Sequence, residues 1–262
     1  MRISRVRQKL AENKPVICTK MNTLDPMVAD IIGLLGFDCL WICNEHTGIN
    51  WDRMDHLCRV GAVHGMDTMV RVDKGSYCDF IRPLELGATG LMVPHCKSAA
   101  EAAEIGQATR FQPLGRRALD SGNVDGAYCL IPMHDYLRLA NENTFVVVQI
   151  EDPEALDQID EIASAPGVDV LFVGPADLTH ALGVPGQFND PRLTKAIEDV
   201  AAACKKYGKH WGLPVSTESA PKYLEMGARF VNCGADVIGL GSYFKDVRAK
   251  LEKVGFEFSP KL

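Results

Sequence analysis

Short apolar runs alternate with longer amphipathic ones along the whole chain. The apolar runs are PVICTK (15–20), DCLWICNEH (38–46), DTMVRV (67–72), GLMVPHC (90–96), TFVVVQIE (144–151), VDVLFVGP (168–175), HWGLPVS (210–216) and ARFVNCG (228–234). Each has a continuous apolar core, which is how a strand buried on both faces reads. The segments between them carry helix signals. DPMVADIIGLLG, DPEALDQIDEIAS and DPRLTKAIEDVAAACKKYG open on Asp-Pro, an N-cap followed by proline at the first helical position. SAAEAAEIGQATR opens on a serine, and ESAPKYLEMGA and YFKDVRAKLEKVG follow the last two strands. The stretch 111–143 breaks the rhythm and reads as an irregular loop followed by a short helix; long loops of this kind are often functional.

Strands that alternate with helices imply right-handed βαβ crossovers and a parallel sheet. Eight such units in 262 residues predict an α/β fold, a closed (β/α)8 TIM barrel, as a single domain over 1–262. A doubly wound open sheet is the alternative. It would call for GxGxxG after the first strand, and ICTKMNTLDP has none.

Composition narrows the function classes. The net charge is −6 and no run of Lys or Arg exceeds two, which argues against a nucleic-acid partner. No apolar run approaches the roughly 20 residues that cross a bilayer. The basic N-terminus MRISRVRQKLAENKP lacks the apolar core of a secretory signal. Nine cysteines, an odd number with no CxxC pair, read as free thiols in a reducing cytosol, hence a cytoplasmic protein.

In a barrel of this type the chemistry stands at the C-terminal ends of the strands. Those ends carry Thr19 and Lys20, Glu45 and His46, Arg71, Pro94 to Cys96, Gln149 and Glu151, Asp177, Ser216 and Asn232. Glu151 and Asp177 lie one strand–helix unit apart, so they end neighbouring strands about 4.8 Å apart. Two hard oxygens, completed by water and substrate, suit Mg²⁺, Mn²⁺ or another octahedral divalent cation. A helix-end charge for Glu151 and an Asx-turn or cap for Asp177 are the simpler readings. A metal-free acid–base pair is a third. Arg71 ends an apolar strand and needs an anion: a ligand carboxylate, or Glu45 or Glu151. His46 is placed to carry protons. Lys20, Lys74 and Lys97 raise a Schiff-base mechanism, although none reads as lying inside an apolar strand. The glycines of CGADVIGLGSYF could cradle a phosphate at the last helix, but no Lys or Arg stands among them.

LWICNEHTGIN, LELGATGLMVPHCKSAAEA, PLGRRA, VVVQIED, GVDVLFVGPADLTHALG and LEMGARFVNCGAD together resemble the HpcH/HpaI aldolases, the metal-dependent pyruvate aldolases, over about residues 15 to 250. The resemblance implies a (β/α)8 barrel, commonly a homo-hexamer whose last helix is swapped onto a neighbouring subunit. It implies a divalent metal (Mg²⁺, Mn²⁺ or Co²⁺) on Glu151 and Asp177, and small-molecule partners, a keto acid and an aldehyde. By the same resemblance Arg71 holds the pyruvate carboxylate and enolate oxygen, and Gln149 lies near the keto acid. The backbone N–H groups of Ala176, Asp177 and Leu178 grip the carboxylate. His46 moves protons with a water, and Glu85 stands where an acid reaches that histidine. The implied activity is reversible cleavage of a 4-hydroxy-2-oxo acid to pyruvate and an aldehyde. Oxaloacetate decarboxylation at the same site, or a keto-acid-binding barrel without catalysis, are the alternatives. Three departures stand out: Cys43 replaces the Asp of D-G-E-H, VDKG replaces P-P-W-G after the arginine, and GRRA keeps Arg117 but loses a glycine. The metal and pyruvate ends of the pattern are intact, whereas the proton relay and aldehyde side are altered.

Overall fold

The computed structural model describes residues 3–259; the ends of the 1–262 domain assignment lie outside the described residues. The elements run α1 (Arg5–Ala11), β1 (Val16–Met21), α2 (Pro26–Leu34), β2 (Cys39–Cys43), α3 (Trp51–Val63), β3 (Asp67–Arg71), α4 (Tyr77–Glu85), β4 (Gly90–Val93) and α5 (Ala99–Thr109). They continue with α6 (Met133–Asn143), β5 (Phe145–Ile150), α7 (Pro153–Leu156), α8 (Ile159–Ser164), β6 (Val170–Val173), α9 (Pro175–Ala181) and α10 (Pro191–Tyr207), then β7 (His210–Val215), α11 (Ala220–Glu225), β8 (Phe230–Ala235) and α12 (Asp236–Glu252). All eight strands are parallel, each pairs with the next, and β8 closes on β1.

Side-chain alternation splits the core in two. One set, with Leu40, Ile42, Val70, Leu91, Val146, Val148 and Leu171, packs under the helices. The other fills the barrel: Val16, Cys18, Cys39, Trp41, Met69, Met92, Phe145, Val147, Val170, Phe172 and Phe230. Its aromatics meet edge to face, Trp41 with Phe172 at 5.7 Å and Phe172 with Phe230 at 6.2 Å, an arrangement favoured by their quadrupoles. Burying each large apolar side chain contributes about 1.5–3 kcal/mol.

Helix α1 has no counterpart in the periodicity reading. It covers the N-terminal end of the barrel, with Val6 and Leu10 in the interior cluster. Ser4 Oγ and Val6 N–H donate to Asp67 Oδ2 at 2.8 and 2.7 Å, and Arg7 pairs with Asp169. The expected caps form at Asp25, Ser98 and Asp190, which accept from Met27, Glu101 and Arg192 N–H. DPEALDQIDEIAS is two helices rather than one, because Gln158 leaves the helical region (φ −123°, ψ 24°). The last helix begins at Asp236, so Gly239 and Gly241 are helical. Asp236 itself accepts from Asn22 and Thr23 N–H at 2.8 Å each. A carboxylate therefore already holds the place where a phosphate would dock.

Candidate active site

The parallel strands bring their C-terminal ends to one mouth. Lys20, Trp41, Cys43, Arg71 and Gln149 reach it from strands, and Glu45, His46, His95, Glu151, Asp152 and Asp177 from the following turns.

Arg71 is the hub and is only 5% exposed. Its Nε lies 2.9 Å from Glu45 Oε2, an ion pair not aligned as a hydrogen bond. Nη2 donates to Cys43 Sγ at 3.1 Å and Nη1 to Gln149 Oε1 at 3.4 Å. The guanidinium carbon stands 5.0 Å from the Trp41 ring centre. Of the two protein carboxylates weighed from sequence, Glu45 is the one paired with it, but one carboxylate does not saturate five donors. A thiol is a weak acceptor, so Cys43 leaves Arg71 with capacity for a second anion that an aspartate there would have taken.

Glu151 is 2% exposed. His95 N–H donates to Oε1 and the Gln149 side-chain amide to Oε2, both at 2.9 Å. The His95 donor points there because its backbone is left-handed, with φ 52°. Its ring is anchored in turn: Nδ1 lies 2.8 Å from Asp152 Oδ2, and Lys97 Nζ is 3.0 Å from Asp152 Oδ1. Gly174 makes room on the other side, since a Cβ there would stand 2.2 Å from Glu151 Oε2. Burial, reinforced by Asp177 and opposed by His95 and Arg71, raises the Glu151 pKa to about 6. Asp152 behaves oppositely: burial pushes its pKa up, but hydrogen bonds from His95 and Lys97 hold it below the usual range.

Asp177 is exposed on the first turn of α9. Pro175 has no N–H, and those of Ala176 and Asp177 have no carbonyl four residues back. Leu178 differs from the expectation: its N–H donates to Gly174 O at 3.0 Å, as the first fully helical donor must, and is not available to a ligand. His46 is at the mouth, its side chain 59% exposed, with Nε2 3.7 Å from Glu45 Oε2. Glu85 is not brought there by its own chain. It ends α4, which runs back from the mouth of β3 toward the base of β4, and the charges around it are Arg117, Asp120, Asp125 and Arg82.

His95, Asp152 and Trp41 are neighbours of the site that sequence reasoning gave no role, and Cys43, read there as a replaced acid, contacts Arg71. A histidine behind an apolar strand is visible as a mouth residue, but its backbone contact to Glu151 depends on a φ angle that carries no residue signature.

Among the described residues no group of three or more His, Cys, Asp or Glu side chains forms a self-sufficient metal cage. What fits a cation is the pair of carboxylates: one buried and held by a donor on each oxygen, which leaves further lone pairs open, and one exposed. Such a sparse hard-oxygen set suits a divalent ion that keeps water and substrate in its shell.

Residues 22–240 match the family model described as HpcH/HpaI aldolase/citrate lyase. A 5-keto-4-deoxy-D-glucarate aldolase of Klebsiella pneumoniae subsp. pneumoniae is 33% identical over 216 residues, 81% of this chain and 83% of that protein. Among solved structures, an HpcH/HpaI aldolase from Desulfitobacterium hafniense DCB-2 superposes with a TM-score of 0.90 at 27% identity, covering 97% of this chain and 98% of that one. The citrate synthase SbnG superposes with 0.87 at 28% identity, covering 96% and 98%. The match extends over nearly the whole barrel and through both the QIED and GPADL turns: the chain belongs to the HpcH/HpaI aldolase/citrate lyase family and is an aldolase-type carbon–carbon lyase.

Proposed function

We propose that Glu151 and Asp177 hold a divalent cation, Mg²⁺, Mn²⁺ or Co²⁺, and that the enzyme cleaves a 4-hydroxy-2-oxo acid to pyruvate and an aldehyde, reversibly. The observation that carries this reading is Glu151: a buried carboxylate, fixed by Gln149 and His95, that feels the charges of Asp177 and of an arginine that retains free donors. A cation bound there supplies Lewis acidity, drawing charge from the keto oxygen so that a methyl proton of pyruvate becomes acidic.

The chain's own groups do the rest. Arg71, itself buried, offers N–H donors where negative charge grows on the keto acid. The free N–H groups of Ala176 and Asp177 face an incoming carboxylate at a helix start. Gln149 spans Arg71 and Glu151 and so fixes their spacing. His46, beside Glu45 and open to solvent, passes protons between water and the aldehyde oxygen. With Cys43 in place of an acid, Glu45 is the carboxylate that steadies this imidazole.

The test follows exchange of the pyruvate methyl protons in D₂O by NMR, together with cleavage of a 4-hydroxy-2-oxo acid. Both should vanish after exhaustive chelation and return with Mn²⁺, Mg²⁺ or Co²⁺. Undiminished exchange by stripped protein would overturn the metal reading.

We further infer an assembly, a hexamer with α12 seated on a neighbouring subunit. Helix α12 buries no residue within its own chain and exposes Val237, Ile238, Leu240, Tyr243 and Phe244. Helix α2, which follows β1, exposes Met27, Ile31 and Leu34, and its C-cap Leu35 is exposed beside them. Exposed apolar faces of this kind mark association surfaces. A cytoplasmic setting accords with the nine free cysteines, most of them buried, and no described helix is long and apolar enough to cross a membrane.

A further inference from the structure

Asp152 stands at the N-cap of α7, yet its side chain makes no cap hydrogen bond. An aspartate in that position ordinarily accepts from the first turn of its own helix, as Asp25 and Asp190 do. Asp152 reaches instead to the turn that follows β4. Its Oδ2 lies 2.8 Å from His95 Nδ1 and its Oδ1 3.0 Å from Lys97 Nζ. One carboxylate thus staples two residues of one turn, and it belongs to the residue immediately after Glu151.

The turn needs such a hold. His95 is left-handed, with φ 52°, a conformation that is costly for a residue with a Cβ and persists where the surroundings over-determine it. His95 is gripped at three points: its ring by Asp152, its carbonyl by a hydrogen bond from Lys74 Nζ, and its N–H by Glu151 Oε1 at 2.9 Å. The next amide, Cys96 N–H, donates to Gln149 O at 3.2 Å. Lys74 is fixed in turn, 2.6 Å from Glu101. Two of the lysines weighed for a Schiff base are therefore occupied here, and the third, Lys20, lies inside β1, not beyond it. The His95 ring stays 3.6 Å from Glu151 Oε1, outside hydrogen-bond reach. What orients the glutamate is the N–H, and the N–H points there only while the turn stays left-handed.

We propose that Asp152 and His95 are positioning residues for the cation: the staple holds His95 in its left-handed conformation so that the His95 N–H aims Glu151. The two act through backbone geometry, not through their charge. This rests on the metal reading above, in which Glu151 is a ligand.

The experiment titrates Mn²⁺ into the wild type, His95→Ala, His95→Gly, Asp152→Ala and the double variant His95→Gly with Asp152→Ala, reading free Mn²⁺ by electron paramagnetic resonance. Contacts that orient a metal ligand set affinity by about ten- to a hundredfold. Kd should rise by that much in His95→Ala and in Asp152→Ala. In His95→Gly it should stay within about threefold of the wild type, because glycine takes the left-handed turn unaided and keeps the N–H. In that background Asp152→Ala should cost nothing further, the two sites being coupled through the turn. Equal losses in His95→Gly and His95→Ala would overturn the proposal. So would an unchanged Kd in Asp152→Ala, or the same loss from Asp152→Ala in both backgrounds, which is what a carboxylate acting by its charge would give. If circular dichroism shows that His95→Ala does not fold, the comparison of Asp152→Ala in the two backgrounds decides. A wild type that binds no Mn²⁺ brings down the metal reading and this inference together, whereas wild-type binding with equal losses in both backgrounds defeats this inference alone.

Discussion

At the scale of the residue, Glu151 is the group whose ionisation the fold has altered most usefully. Its pKa of about 6 lies above the ordinary glutamate value because burial and Asp177 outweigh His95 and Arg71. The folded state therefore holds this proton more tightly than the unfolded state does. The resulting stability is complete below the unfolded pKa and is lost as pH rises through about 6. In chelator, wild-type stability relative to Glu151→Gln should fall by about 2 kcal/mol between pH 4.5 and 7, read from urea denaturation; a constant difference would refute the assignment. Below pH 6, Mn²⁺ binding to the wild type should release a proton, measurable by calorimetry in two buffers. The sequence placed Glu151, Asp177, Arg71 and Gln149 at the mouth because each ends a strand or follows one closely. It could not disclose the left-handed turn at His95, and it assigned a ligand to the Leu178 N–H that α9 uses internally.

At the scale of the element, the strands were legible to within a residue or two at most ends, since an apolar run bounded by polar turns has few other uses. The helices were less so. The break at Gln158 and the early start of α12 depend on local dihedrals and on Asp236 reaching back to Asn22 and Thr23. Inside the barrel, a glycine on one strand makes room for an aromatic on the next. Gly90 is the register partner of Phe145, and a Cβ on Gly90 would stand 2.2 Å from the Phe145 ring. Phe145 is fully buried against Phe230, 6.0 Å away between centroids, so the ring has little freedom to retreat. Gly90→Ala should cost about 1–3 kcal/mol by overpacking, seen as a lower urea midpoint with an unchanged m-value.

At the scale of the whole molecule, the barrel finishes itself but its last helix does not. Tyr243 and Phe244 stack edge to face at 5.2 Å on a helix that buries nothing at home. Tyr243→Asp with Phe244→Asp should leave the circular dichroism intact and reduce the assembly to smaller species by light scattering; a wild type that is already monomeric would remove the swapped-helix reading. Glu85 belongs to this scale too. On the proposed hexamer, an acid at the base of its own barrel would reach His46 only from a neighbouring subunit.

Helix α1 closes the far end of the barrel, with Val6 and Leu10 seated inside and Ser4 tied to Asp67. The interior above it is already filled by Trp41, Phe145, Phe172 and Phe230, so the barrel is a shallow cup sealed twice over, and whatever enters must leave by the same rim. On the proposed chemistry the keto acid, gripped between Arg71 and the carboxylates, lies under the aldehyde. It enters first in condensation and leaves last in cleavage, an order set by the packed layer of side chains on which it rests.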